Sequence, residues 1–200
     1  VATPAQSSQT ACSVGTYQAL IGQTSCDDAT AGYYVPTTAQ SSQTACSVGT
    51  YQALTGQSSC DFSSPGYYVA TTAQSSQTAC SVGTYQALTG QTSCDDTTAG
   101  YYAATTAQSS QTACSAGTYQ ALTGQISCDD ADAGYYAPTT AQFSQTACSV
   151  GTYQALTGQS SCGDATAGYY VSTTAQSSQT ACSVGTYQAL TGQTSCNDAA

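Results

Sequence analysis

Eleven glycines stand 17 residues apart, from Gly15, Gly32 and Gly49 through to Gly168 and Gly185, and each is followed two positions later by a tyrosine. A unit this short cannot enclose a core by itself. It must stack on copies of itself, so the chain is an array before it is anything else. The twelve cysteines lie on the same ruler, with gaps that alternate between 14 and 20 residues, and two units of 17 therefore make a period of 34. One kind of unit reads Gly-Thr-Tyr-Gln-Ala-Leu-Thr-Gly-Gln-x-Ser-Cys, as at Gly49 to Cys60. The other reads Gly-Tyr-Tyr-x-x-Thr-Thr-Ala-Gln-x-Ser-Gln-Thr-Ala-Cys, as at Gly66 to Cys80. The spacing predicts full repeats over 12–45, 46–79, 80–113, 114–147 and 148–181, with partial repeats at 1–11 and 182–200. The chain does not open on Met and Val1 aligns with Val35, so it reads as a window on a longer array, with targeting and anchoring signals outside it.

Composition removes several function classes. There is no Lys, Arg or His, the only acidic side chains are ten Asp, and the net charge is −10, so neither nucleic acid nor an anionic membrane has an electrostatic handle. No apolar stretch approaches the ~20 residues of a membrane span, so no membrane insertion is expected in this segment. Charged residues are 5% of the chain and sixteen Tyr recur in register, a pattern of order rather than of disorder. Evenly spaced cysteines, even in number, read as a disulfide framework and hence an extracellular or cell-surface location. Zinc would want close Cys-x-x-Cys pairs, usually with His, and the chain has neither, so no metal is expected at the cysteines.

Two nearest-neighbour schemes can pair the cysteines. One joins Cys12–Cys26, Cys46–Cys60, Cys80–Cys94, Cys114–Cys128, Cys148–Cys162 and Cys182–Cys196; the other joins Cys26–Cys46 and its equivalents, leaving Cys12 and Cys196 for neighbours beyond the window.

The pattern Cys-x-x-Gly-Thr-Tyr-x(4)-Gly-x(3)-Cys, as at Cys46 to Cys60, resembles the cysteine-rich repeat of the ephrin-receptor-like type, related to modules of tumour-necrosis-factor-receptor ectodomains. The resemblance runs along the whole chain. It implies unit junctions of the form Cys-x-x-Cys-x-x-Gly, with the second cysteine paired across its own unit. Here each junction keeps one cysteine: Ala29 stands where the junction's second cysteine would follow Cys26, and Gln43 stands where the first would precede Cys46. Ala29 and Gln43 are themselves 14 residues apart, as expected of a bridge lost as a pair. Beside the resemblance this favours the first scheme, and it leaves the second kind of unit to be held by packing alone.

A period of 34 also belongs to a helical repeat. The Gly content, the Thr-Thr and Tyr-Tyr pairs and the lack of an i, i+3, i+4, i+7 apolar series exclude it. The fold class expected is small disulfide-rich β repeats, an elongated solenoid-like rod of short strands and turns. Each Gly-x-Tyr-x segment is a short strand, Thr-Gly-Gln or Thr-Ala-Gln is a turn, a second strand leads into the next cysteine, and the Asp pairs such as Asp27–Asp28 lie in solvated turns. The core is expected to be tyrosine, since little else in the repeat is large. In pairs such as Tyr33–Tyr34 and Tyr67–Tyr68, alternation sends one ring inward and leaves the other for stacking at an interface.

Three surface chemistries remain. Calcium wants six to eight oxygens, more than the one or two Asp at each junction, and the pair is broken at Asp61-Phe62, Gly163-Asp164 and Asn197-Asp198. Thr37, Thr38, Ser41 and Thr44, with their copies, form a Ser/Thr-rich stretch suited to O-linked glycans, and Asn197 is not in an N-glycosylation sequon. Ranks of Thr for ice binding would need a denser repeat. With no Lys or His, every cysteine assigned to a bridge and all repeats nearly alike, no catalytic residue and no cofactor are expected. The function expected is a structural subunit of an extracellular filament or surface stalk, with the chain itself as partner. A receptor- or adhesin-like ectodomain is the alternative, and it predicts a repeat with divergent exposed positions. The departures, Ile21, Phe62, Pro65, Ile126, Phe143 and Gly163, are instead scattered singly.

Overall fold

A computed structural model describes residues 9–199; most of the opening partial repeat at 1–11 lies outside the described residues. The described residues contain no helix. They form two-residue strands paired into eleven two-stranded sheets. In the first hairpins, β1 (Thr16–Tyr17) pairs antiparallel with β2 (Asp27–Asp28), and β3 (Tyr33–Tyr34) with β4 (Thr44–Ala45). The chain folds as two units. One takes the described residues up to Cys80 with Gln86–Asp95 and Ala107–Ser109; the other takes Ser81–Tyr85, Asp96–Thr106 and the residues from Ser110 onward.

Each strand begins at a turn the sequence dictates. Thr16 N–H donates to Ser13 O at 3.0 Å, and Gly15, third of the four residues, has φ of 87°. A positive φ at that position marks a type II turn and selects Gly. The same turn precedes Tyr67, where Pro65 fills the preceding position that type II favours. Thr and Tyr follow because β-branched and aromatic side chains suit a short, half-covered ladder.

Hairpins are then tied to one another by backbone. In the first unit Gly15 N–H donates to Val35 O (2.9 Å) and Gln18 N–H to Gln40 O (3.1 Å), linking neighbouring 17-residue segments. Gly56 N–H reaches two segments back to Ala29 O at 2.8 Å. The second unit repeats the scheme with Gly117 to Ala137 O, Gln120 to Gln142 O and Gly124 to Thr97 O.

The core is built of small residues. Fully or nearly fully buried are the turn glycines from Gly15 to Gly151, the residue three further on (Val35, Val69, Ala103, Ala137, Val171, alternating with Gln such as Gln52), and the residue just past the second strand. That last position alternates half-cystines Cys46, Cys80, Cys114 and Cys148 with Ala29, Ser63, Thr97, Ala131 and Ala165. Ser63 and Thr97 are tolerated because their hydroxyls are bonded: Gln91 N–H donates to Ser63 Oγ and Gln125 N–H to Thr97 Oγ1, each at 3.0 Å.

Two expectations are corrected. The tyrosines are not the core. Tyr17, Tyr33, Tyr34, Tyr51, Tyr67 and Tyr68 are all half-buried, and neither member of a pair is driven fully inside. The reason is the closeness of the stack. A Cβ on Gly49 would lie 2.9 Å from the carbonyl carbon of Gly90 and closer still to its oxygen, so backbone fills the space a ring would need. The aspartates are not turn residues either. Asp27–Asp28 is a strand, with Asp27 opposite Tyr17 and both side chains exposed. Cross-strand pairing overrides the weak strand propensity of Asp because the carboxylates point into water.

Candidate functional site

From Cys46 to Cys148 the first cysteine of each repeat sits at the buried position past a strand, and the second lies before the next strand, on the facing arm of the following hairpin. The structure joins Cys12–Cys26, Cys46–Cys60 and Cys80–Cys94 in the first unit, and Cys114–Cys128, Cys148–Cys162 and Cys182–Cys196 in the second. Their Cα atoms are 5.7–5.8 Å apart, within the span a disulfide needs, and no cysteine is left free.

Units without a disulfide are not held by packing alone, which corrects the expectation for them. Gln43, in place of a cysteine, accepts the N–H of Thr30 at 2.7 Å and donates from Nε2 to Thr30 Oγ1 at 3.0 Å. Gln111 does the same to Thr98 and Gln179 to Thr166. At Asp132 the carboxylate takes the hydroxyl's part, accepting from Gln145 Nε2 at 2.7 Å. A polar clip thus stands at the junction where the resemblance places a bridge. Sequence reading noted Gln43 only as a missing cysteine, although its recurrence at Gln77, Gln111, Gln145 and Gln179 was the available signal.

A second glutamine closes the disulfide-bearing loop. Gln52, 5% exposed, donates from Nε2 to Ser59 O at 2.9 Å and accepts the N–H of Leu54 at 3.0 Å. Gln86, Gln120 and Gln188 repeat both bonds. These polar side chains are affordable in a thin core because each satisfies both ends of its amide.

The outward face carries the candidate ligand-bearing groups. Thr37, Thr38, Ser41 and Thr44 are exposed; the Thr37 hydroxyl accepts from Gln40 Nε2 at 2.8 Å, and Thr44 is paired through its backbone opposite Tyr34. The most exposed recurrent apolar side chain is leucine rather than tyrosine: Leu20, Leu54 and Leu88 in one unit, Leu122, Leu156 and Leu190 in the other, all between 63% and 67% exposed. The Asp28 carboxylate lies against Gly56, and that of Asp96 against Gly124. Tyr119 is held above the usual phenol pKa, first by burial and then by the negative charges of Asp132 and Asp129.

Two concavities are open and polar. One of about 270 Å³ is lined by Tyr136, Ser149, Thr152, Ser161 and Cys162; another runs beside the Cys12–Cys26 bridge in the first unit. Neither gathers a carboxylate. No helix of the described residues is long and apolar enough to cross a membrane. No protein-family model matches the chain, and no curated protein matches it.

Proposed function

We propose that this chain is a non-catalytic structural segment of an extracellular filament or surface stalk, O-glycosylated on its Ser/Thr face and assembling with copies of itself. The observation that carries the reading is the uniformity of the ladder. Each 17-residue segment makes the same backbone bonds to its successors, through positions occupied by small or self-satisfied side chains. Such a segment can be added or removed without redesign of its neighbours, which suits a spacer or filament and offers no unique pocket. The disulfides suit an oxidising exterior. With few charged residues, sugars on Thr37, Thr38, Ser41 and Thr44 and their copies are the means of hydrating the surface. The exposed leucines, helped by the outer edges of Tyr33, Tyr34, Tyr67 and Tyr68, form the self-contact. A weak contact made once per repeat is made at every repeat, so avidity grows with length.

Sedimentation velocity of the native material, extracted without reductant, tests assembly: large, polydisperse species are expected. An isolated monomer would retire the filament in favour of a receptor- or adhesin-like ectodomain. Intact mass tests the sugars, and a mass equal to the bare polypeptide would remove them from the account.

A further inference from the structure

We propose that the tyrosine pairs are sites of oxidative coupling between copies of the chain, forming ortho–ortho bityrosyl links with a peroxidase-type one-electron oxidant and hydrogen peroxide as co-reactants. The proposal rests on the self-assembly reading, since it needs rings of two copies brought together.

Three observations carry it. The first is accessibility of the reacting group. The phenolic oxygens make no side-chain hydrogen bond in either unit, and no buried side-chain oxygen or nitrogen lacks a partner among the described residues. A half-buried tyrosine such as Tyr33 or Tyr68 therefore keeps its hydroxyl open to water. The second is the absence of competing electron donors within this sequence. Sixteen Tyr stand without a single Trp, Met or His, and every cysteine is already oxidised to a disulfide. A one-electron hole placed on this chain resides on tyrosine and has no better sink. The third is geometry. Tyr33 and Tyr34 are successive residues of one strand, so their side chains leave on opposite faces and cannot meet each other. Within each unit no tyrosine ring contacts another ring. The proposal takes the partner ring from a second copy, and the 34-residue recurrence of the pairs lets one link align the next.

The step balances. Each of two phenols loses one electron and one proton, giving two phenoxyl radicals with spin density at the ortho carbons. A carbon–carbon bond forms between those carbons, and each ring then regains aromaticity as its ortho hydrogen moves to the phenoxyl oxygen. Hydrogen peroxide takes up the two electrons and two protons and leaves as two waters. The product is lighter than two chains by two hydrogens per link.

The test has two arms. Acid hydrolysates of the native material are analysed for bityrosine by mass and fluorescence, and the purified chain is treated with a plant peroxidase and hydrogen peroxide. Expected are bityrosine in the native material and covalent oligomers that persist in denaturant with reductant. Replacing both tyrosines of every pair by Phe, as in Tyr33→Phe and Tyr34→Phe, should cut oligomer yield several-fold more than replacing the six single tyrosines such as Tyr17 and Tyr51 does. Unchanged amide-exchange protection would show that the ladder is intact. Oligomers formed equally well by that variant would overturn the assignment, and so would links confined to single chains. Native filaments that disperse to unlinked chains free of bityrosine would refute the coupling while leaving assembly standing. Native monomers free of bityrosine would refute both.

Discussion

Replacing Gly49 by Ala is the sharpest perturbation of the stack. Gly49 has φ of +78°, and an added Cβ would fall 2.9 Å from the carbonyl carbon of Gly90, a backbone atom that cannot swing aside. The positive φ alone costs an L-residue about 1–2 kcal/mol. To clear the clash the Gly90 segment must lift, breaking Gly90 N–H to Ser63 O (2.9 Å) and straining Gly49 N–H to Val69 O (2.8 Å). Two such bonds contribute about 1 kcal/mol each. Stiffening of the unfolded chain by Ala returns about 0.4–1 kcal/mol, leaving a net destabilisation of roughly 3 kcal/mol. At 1.4 kcal/mol per decade, local opening becomes about a hundredfold more frequent. Gly22→Ala is the control: its φ is +79°, but nothing lies within 4 Å of the added carbon, so the φ cost less the same stiffening of the unfolded chain leaves about 1 kcal/mol, roughly a fivefold change. Hydrogen exchange read by mass spectrometry on peptic fragments measures both, because the loss should be confined to segments around residues 49, 69 and 90. Equal loosening in the two variants would mean that the close backbone approach is not what makes this glycine necessary.

Further outcomes follow from the same geometry. Ala73→Gly should stabilise by about 0.5–1 kcal/mol, since Ala73 already occupies a left-handed conformation at φ of 59°; chemical denaturation of the variant reads this directly. Gln52→Ala removes both bonds that close its loop and should cost about 2 kcal/mol, appearing as faster exchange at Leu54. Tyr119 holds its proton more tightly folded than unfolded, so its contribution is complete below the ordinary phenol pKa and is lost as pH rises through the raised value. Alkaline titration followed by phenolate absorbance should therefore show a step missing from Tyr119→Phe at the high end, and that variant should lose less stability above about pH 10.

Much of the local structure was legible in residue types. Gly15 and Gly49 announce turns, Thr-Tyr announces a strand, and the cysteine ruler announces a repeat. What the sequence hid was distance across the stack. That a glycine faces a carbonyl 41 residues later cannot be seen in a 17-residue motif, yet it excludes the tyrosines from the interior. The strand at Asp27–Asp28 was hidden because propensity describes an isolated residue, while pairing opposite Tyr17 is a property of the hairpin. Gln43 and Gln52 were hidden because an uncharged polar residue reads as surface until its amide is seen bonded at both ends. The surface groups were easier: Thr37, Thr38 and Ser41 are exposed, as a polar run between strands should be, and Thr44 is exposed at the start of β4.

Electron microscopy of the native material tests the central proposal most directly. The account predicts filaments or stalks with a regular axial spacing set by the repeat. Dispersed particles of single-chain mass, with no axial order at any concentration, would contradict it.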